Sequence, residues 1–258
     1  MLRREYIREP SVAANWSLSP VVFSLVLCFV TTMAHRSGSL SSQNFVLVTG
    51  VVFVFSVLGF LLALLGLYAV WHHAAKGGKR SACALLLCLP ILGTGLLALM
   101  LVAMTAPLSD ISTDTLESPH FSIVFDTSNG ENINEPPRID GQIQVQFYPY
   151  LSGRRYALAT DTIVAHVMKQ IAENGWKPSY EKARSIGDGD WIMEATVITP
   201  VFNFADDIVV RITDEGNAAY VDMRSASRFG RVDLGGNARR IEKFMKDLDV
   251  RVSQQAQR

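Results

Sequence analysis

The sequence predicts an N-terminal membrane region of three transmembrane α-helices followed by a C-terminal α+β domain. In that domain, two helices cover one face of an antiparallel sheet of four or more strands. The first 107 of the 258 residues contain long uncharged stretches. They carry seven basic and two acidic side chains, whereas the remainder carries 17 and 22. The second half has the order helix, four strands, helix, which is typical of an α+β domain.

Composition excludes several classes of protein. A hydrophobic content of 49% is too high for a disordered or collagen-like chain. The 24 basic residues are balanced by 24 acidic ones, so we expect no nucleic-acid partner. The formal net charge of zero therefore conceals a basic membrane region and an acidic domain.

A membrane-spanning helix needs about 20 mostly apolar residues to cross a hydrocarbon core of about 30 Å. Three stretches meet or approach this length: residues 16–34, 45–71 and 82–106. The first is short and begins with polar residues, so a signal peptide cleaved after Ala34 is an alternative. Because the spans contain no charged side chain, we interpret residues 1–107 as an anchor rather than a transport pathway. Gly59, Ala63, Gly93 and Gly95 are candidate helix-packing positions.

The basic residues of the short flanking segments predict the orientation, because such residues are retained in the cytoplasm. Most of them lie before the first span and between the second and third, at Arg3, Arg4, Arg8, Lys76, Lys79 and Arg80. We therefore expect a multi-pass protein of the bacterial inner membrane with a cytoplasmic N-terminus and a periplasmic C-terminal domain. Cleavage after Ala34 would leave the domain on the same side.

The second half divides into a solvated stem at 108–119, a soluble domain at 120–250 and a tail at 251–258. All three cysteines, Cys28, Cys83 and Cys88, precede it, so the sequence predicts no disulfide there. Strict alternation predicts a half-buried strand at 142–148, with residues 121–125 as a possible partner.

Later elements follow from clearer patterns. Residues 161–174 form an amphipathic helix that begins at a Thr160/Asp161 cap and ends at Gly175. Four strands are expected at 176–185, 191–199, 206–213 and 218–227, with turns at 187–190 and 214–217. Residues 233–250 form a final helix whose apolar stripe is Leu234, Ala238, Ile241, Met245 and Leu248.

Residues 202–211 (FNFADDIVVR) and 221–241 (VDMRSASRFGRVDLGGNARRI) resemble the signature of domain-of-unknown-function family 1499. The resemblance extends back through Gly175 and Trp176 to residues 110–114, and covers most of 108–250. It implies a bacterial envelope or organellar setting. It supplies no established reaction, cofactor or catalytic residue.

Two interpretations of the polar residues stay open. With Thr213 opposite Ala218, Asp207 would face Arg224 in a structural ion pair and Arg211 would face Tyr220. Alternatively, an anion binds at the start of the last helix, where free amides favour negative charge. The candidate ligand-binding residues are Arg224, Ser225, Ser227, Arg228, Arg231 and Asn237. Asp233 competes with this second hypothesis, because it can cap the helix itself.

We expect no cofactor, no metal site and no assigned catalytic residue, because His120 and His166 lack metal-ligand spacing and a neighbouring nucleophile. The sequence favours an envelope protein whose domain binds or scaffolds, in contact with the lipid bilayer. Its other expected partners are an anionic small molecule, lipid or glycan and an envelope protein. The alternative is a hydrolase of an acidic or glycan substrate that uses Asp206, Asp207 or Asp222.

Overall fold

The computed structural model describes residues 9–121, 140–182 and 190–256. The chain forms two compact units, residues 1–100 and residues 101–258. Turn 187–190 lies outside the described residues except for Asp190, and the expected strand 121–125 lies outside them except for Phe121.

The first unit consists of long apolar helices. They are α1 Val12–Trp16, α2 Leu18–Arg36, α3 Ser42–His73 and α4 Gly78–Met104, whose last turn belongs to the second unit. Three candidate spans, Val12–Arg36, Ser42–His73 and Gly78–Met104, are long and apolar enough to cross a membrane, which confirms the predicted helices with longer bounds.

Small residues allow close helix packing in this unit. A Cβ added at Gly59 would lie 2.3 Å from a methyl group of Val21, and one at Gly95 would lie 2.4 Å from the ring of Phe53. At Gly93 an added Cβ would meet nothing within 4 Å, so this glycine is not a packing position. The Ser56 hydroxyl donates a hydrogen bond to Ser24 across α2 and α3 (2.9 Å).

The second unit contains a six-stranded antiparallel sheet and three helices among its described residues beyond α4. The strands are β1 Asp110–Ser112, β2 Arg154–Tyr156, β3 Lys177–Lys182, β4 Asp190–Ile198, β5 Ala205–Asp214 and β6 Ala219–Ser227. The helices are α5 Gly141–Phe147, α6 Thr160–Glu173 and α7 Gly236–Ala256. The strand order is β1-β6-β5-β4-β3, and β2 pairs with β6 beside β1.

Both long helices pack against the same face of the sheet, as the sequence predicts. Apolar residues of α6 and α7 join Ile208, Val210, Ile212 and Met223 in one buried cluster. Gly175 has a φ of +67° directly after the C-cap of α6, which confirms the predicted helix end. The predicted cap is wrong, because Ala159 is the N-cap and the Thr160 hydroxyl donates to Asp214 instead (2.9 Å).

Residues 142–147 lie in helix α5, which Tyr148 caps, and do not form the expected strand. Asp140 caps this helix by accepting a hydrogen bond from the Ile143 amide (3.1 Å). Gln144 is the buried member, and it bonds both the amide and the carbonyl of Ser112. The alternating apolar residues Val145 and Phe147 are instead exposed. The prediction failed because the apolar residues of this segment do not mark its inner face.

The expected solvated stem is part of the domain. Asp110–Ser112 forms edge strand β1 along β6, and its three residues are buried. The acidic and hydroxyl composition of 108–119 suggested exposure, but Asp110, Thr113 and Asp114 bond to side chains of β5 and β6. Strands β3 to β6 and the last helix lie where the sequence predicts them, within a few residues, except that α7 begins at Gly236 and extends to Ala256, whereas β2 was not predicted.

Candidate functional site: the polar face of the sheet

The central strands β5 and β6 give the sheet one apolar and one polar face. Asp214 pairs with Ala219 across the hairpin, so Asp207 lies opposite Ala226 and Arg211 lies opposite Asp222. This register differs by two residues from the expected one, which leaves every side chain on its expected face. The surface that carries the charges is defined here as the polar face.

Arg224 forms the most buried ion pair of the polar face. Its Nε and Nη2 donate to the two carboxylate oxygens of Asp110 at 2.9 and 2.6 Å. Its Nη1 donates to the carbonyl of Pro119 (3.1 Å), and the Phe121 ring lies 5.0 Å from its guanidinium carbon. Burial raises the pKa of Asp110, because desolvation outweighs the attraction of Arg224. This arginine therefore fixes edge strand β1 and the segment after it to the centre of the sheet.

Arg211 holds a second cluster with two carboxylates. It donates to Asp222 at 2.8 Å and to Asp114 at 3.2 Å, and the Thr113 hydroxyl also donates to Asp222 (2.9 Å). Burial lowers the pKa of Arg211, but the hydrogen bond and charge of Asp222 outweigh it, so the pKa is raised. Burial alone would raise the pKa of Asp114, but the amides of Glu117 and Leu116 and the charge of Arg211 lower it.

The expected ion pair between Asp207 and Arg224 is wrong. Asp207 instead accepts two hydrogen bonds from Arg228, at 2.6 and 2.9 Å, and one from the Thr196 hydroxyl at 2.8 Å. The physical reason is the two-residue shift in register, which places Ala226 rather than Arg224 opposite Asp207. Arg224 is then free to pair with Asp110 on the neighbouring strand.

A polar network joins the end of β6 to the start of α7. Ser225 donates to the side-chain oxygen of Asn237 (2.7 Å), and Asn237 donates to Ser227 (3.0 Å) and to the carbonyl of Ser109 (2.9 Å). Arg240 donates to Ser225 and pairs with Asp206. These contacts fasten the N-terminal turn of α7 to two strands.

Asp233 occupies the N-terminal end of α7. Its carboxylate accepts hydrogen bonds from the amides of Gly235 (2.9 Å) and Asn237, and burial raises its pKa because desolvation outweighs these bonds. The preceding turn has positive φ at Leu234 and Gly235. A carboxylate of the chain itself therefore fills the position at which an external anion would bind.

The structure brings five of the six candidate ligand-binding residues into these contacts. Ser225, Ser227 and Asn237 join the network at α7, whereas Arg224 and Arg228 pair with acids of the polar face. Arg231 is exposed. Asp110 and Arg240 also belong to these contacts, although the sequence did not predict them as site residues. Asp110 was not predicted because residues 108–119 were assigned to a stem.

The acids of the hydrolase alternative do not form a carboxylate pair. Asp206, Asp207 and Asp222 each contact a different arginine: Arg240, Arg228 and Arg211 respectively. His120 is exposed, and His166 contacts Gln255 in a groove of about 450 Å³ between α6 and α7 that Lys169 and Arg251 also line. Within the described ranges, no group of three or more His, Cys, Asp or Glu side chains could hold a metal ion.

Fold and contacts together define a membrane protein whose α+β domain is built on a covered, internally paired polar sheet face. A family model described as "Protein of unknown function (DUF1499)" matches residues 110–248. The chain therefore belongs to this family, and the match begins at the first residue of β1. No curated protein matches the chain.

Proposed function

We propose that this protein is a multi-pass anchor of a bacterial inner membrane whose domain lies on the periplasmic side and serves as a scaffolding or binding module of the cell envelope. The orientation is supported by the basic residues before the first span and between the second and third. The domain contains no cysteine, so its fold is compatible with an oxidising compartment such as the periplasm.

The internal pairing of the polar face is the observation that carries the scaffolding role. Asp110, Asp207 and Asp222 are each less than a tenth exposed, and each is bonded to an arginine. A catalytic carboxylate has to reach a substrate atom. Buried ion pairs contribute little net stability, but any arrangement that leaves one of their charges unpaired is strongly destabilised. We infer that these pairs hold the polar face of the sheet in a single geometry.

The same pairing argues against an anion pocket as the main function. An anion at Arg224 or Arg228 would have to displace Asp110 or Asp207, and an anion at α7 would have to displace Asp233. Partner proteins or lipids that contact the outer surface require no such exchange. The expected partners are therefore the bilayer and an envelope protein.

Reporter fusions test the orientation. Alkaline phosphatase fused after Pro107 should be active in a bacterial host, because the enzyme folds only outside the cytoplasm, and a fusion after Ala75 should be inactive. A cytoplasmic reporter such as green fluorescent protein should give the reverse pattern. Stable fusions with the opposite activities would overturn the proposed orientation.

A thermal-shift experiment on the full chain in detergent micelles tests the scaffolding role. We expect no saturable shift with inorganic phosphate, citrate or acidic glycan fragments. A saturable shift that is lost in Arg231→Gln, with the unligated melting temperature unchanged, would instead establish an anion-binding module. Hydrolysis of a glycan substrate that is lost in Asp222→Asn, in a variant shown to be folded, would establish the rival enzyme.

A further inference from the structure

The segment from α5 to Gly153 is an uncharged and largely exposed part of the domain surface. Residues 141–153 contain no acidic or basic side chain. Within them, Phe147 is 39% exposed and Tyr150 52%, on either side of Tyr148. We call these two residues the α5 patch. Large apolar side chains grouped in this way on a domain surface mark a contact with a partner or a membrane.

The α5 patch is connected to the end of a membrane-compatible helix. Tyr148 lies between Phe147 and Tyr150, with its ring centroid 6.4 Å from each. Its hydroxyl accepts a hydrogen bond from the amide of Ala106 (3.3 Å), two residues after α4 ends at Met104. The last turn of α4 and the α5 patch belong to the same compact unit.

The chain around Ala106 has the composition of a lipid–water boundary. Residues 101–108 carry no charge, Met104 is 72% exposed, and the first charged residue after α4 is Asp110 in β1. Helix α4 has 27 residues and a length of about 40 Å, so it can cross the hydrocarbon core and end in the headgroup region. In a bilayer spanned by α4, Tyr148 would therefore contact the chain where it leaves the hydrocarbon core.

Charge and side-chain type favour lipid as the occupant. Tyrosine is enriched at membrane interfaces, because its ring is apolar and its hydroxyl remains hydrated. Arg239 is exposed beside the same site. A Cβ added at Gly235 would lie 3.0 Å from the guanidinium of Arg239, and its other nearest neighbours would be Thr105 and Tyr148. Burial raises the pKa of Tyr150 and the nearby Glu242 raises it further, so a basic and an acidic side chain flank the aromatic rings, which suits a zwitterionic phospholipid headgroup.

We propose that Phe147 and Tyr150 contact the lipid–water interface of the membrane that α4 spans. The domain would then be held at the bilayer surface in two ways, by its covalent connection to α4 and by the contact of the α5 patch with lipid. This inference uses the membrane anchorage of the chain but not the side on which the domain lies, so it stands or falls separately from the proposed orientation.

Fluorescent labels at single cysteines test the contact in the full chain. The three native cysteines are replaced by alanine, and Phe147→Cys, Tyr150→Cys and the control Asn217→Cys are labelled with an environment-sensitive dye. Asn217 is exposed in the turn between β5 and β6. In phosphatidylethanolamine–phosphatidylglycerol vesicles with doxyl-labelled lipid, we expect at least about twofold stronger quenching at 147 and 150 than at 217. Aqueous iodide should show the opposite order.

The other occupants give different results, and each overturns the proposal. Equal iodide access at 147, 150 and 217 would leave the patch open to a protein partner absent from the vesicles. Protection from iodide without lipid quenching, lost when the protein is diluted with lipid, would assign the patch to a second copy of the chain.

A second measurement needs no substitution. Hydroxyl-radical footprinting of the native chain in vesicles should oxidise Tyr150 several-fold less than the exposed Phe202. Equal oxidation of the two aromatic rings would contradict the contact even if the labelled variants failed to fold.

Discussion

The two faces of the β5–β6 hairpin are both buried at their centres but are held by different interactions. On one face, Ile208, Ile212 and Met223 pack under α6 and α7 with no exposed surface. On the other, Asp222 and Arg224 are 1% and 6% exposed, and each is paired with an opposite charge. Burial on the first face is favourable wherever apolar groups meet, whereas burial on the second requires particular partners.

This difference indicates what each face contributes. The apolar face supplies most of the free energy of folding, because each fully buried aliphatic side chain contributes about 1.5–3 kcal/mol. The polar face selects one arrangement of edge strand β1 and the segment after it, because any other arrangement leaves Arg224 or Asp110 as a buried lone charge. Four substitutions can break or sharpen this comparison.

The largest effect is expected at the buried ion pair. Arg224→Ala should lower the free energy of unfolding by about 3–5 kcal/mol, because it leaves the Asp110 carboxylate buried without a partner. Urea unfolding of the micelle-solubilised full chain, followed by tryptophan fluorescence, measures this change.

Two controls separate lost pairing from lost volume. The double variant Asp110→Leu/Arg224→Met removes both charges and should recover most of the loss. Arg155→Ala breaks the exposed pair with Glu215 and should cost less than about 1 kcal/mol. If Arg224→Ala cost no more than Arg155→Ala, the polar face would not constrain the fold.

The apolar face should respond in proportion to the volume removed. Ile212→Ala should cost about 2–5 kcal/mol, because it deletes buried methyl groups and leaves a cavity between the sheet and α6. Ile212→Val should cost about 0.5–1.5 kcal/mol in the same unfolding measurement. Equal costs for the two variants would mean that the site relaxes and that packing there is loose.

A smaller effect is expected where a polar side chain joins α5 to the sheet. Gln144→Leu keeps the size of the side chain but leaves the amide and carbonyl of Ser112 without their partner, and should cost about 1–3 kcal/mol. Gln146→Leu on the exposed side of the same helix should stay within about 0.5 kcal/mol. A matching loss in both variants would show that the cost arises from helix propensity and not from the Ser112 contacts.

The sequence predicted the parts of the fold that follow from periodicity. The membrane helices are continuous apolar runs, and helices α6 and α7 and the strands β4 to β6 repeat their apolar residues at the spacing of their own structure. Helix α5 does not, because Gln144 is its buried residue and Val145 is exposed. Gln144 is stabilised in this buried position by hydrogen bonds with Ser112. Ser112 is 32 residues away in the sequence, so a local pattern cannot predict the contact.

The candidate site was predicted by residue type but not by partner. The sequence singled out Asp207, Arg224 and Arg228, all of which lie on or beside the polar face. Their pairing depends on hairpin register and on the position of β1, and a shift of two residues exchanges every partner while preserving every face. Asp110 was missed because an edge strand of three residues has no periodicity of its own.

The smallest predicted effect distinguishes the rim of the polar face from its centre. Asp114 is 28% exposed and accepts hydrogen bonds from two amides and Arg211, so Asp114→Asn should cost about 1 kcal/mol at pH 7. Because the folded-state pKa of Asp114 is lowered, its contribution is present above the ordinary aspartate value of about 3.9 and is lost as pH falls through the folded pKa.

Unfolding of the native chain and of Asp114→Asn from pH 7 down to pH 3 measures this loss. We expect the difference between the two proteins to shrink in acid. The raised pKa values of Asp110 and Asp233 act in the opposite sense, since their contribution is lost as pH rises, but both groups are present in both proteins and cancel from the difference. A difference that is constant with pH would mean that the charge of Asp114 contributes nothing and that only the buried centre of the polar face constrains the fold.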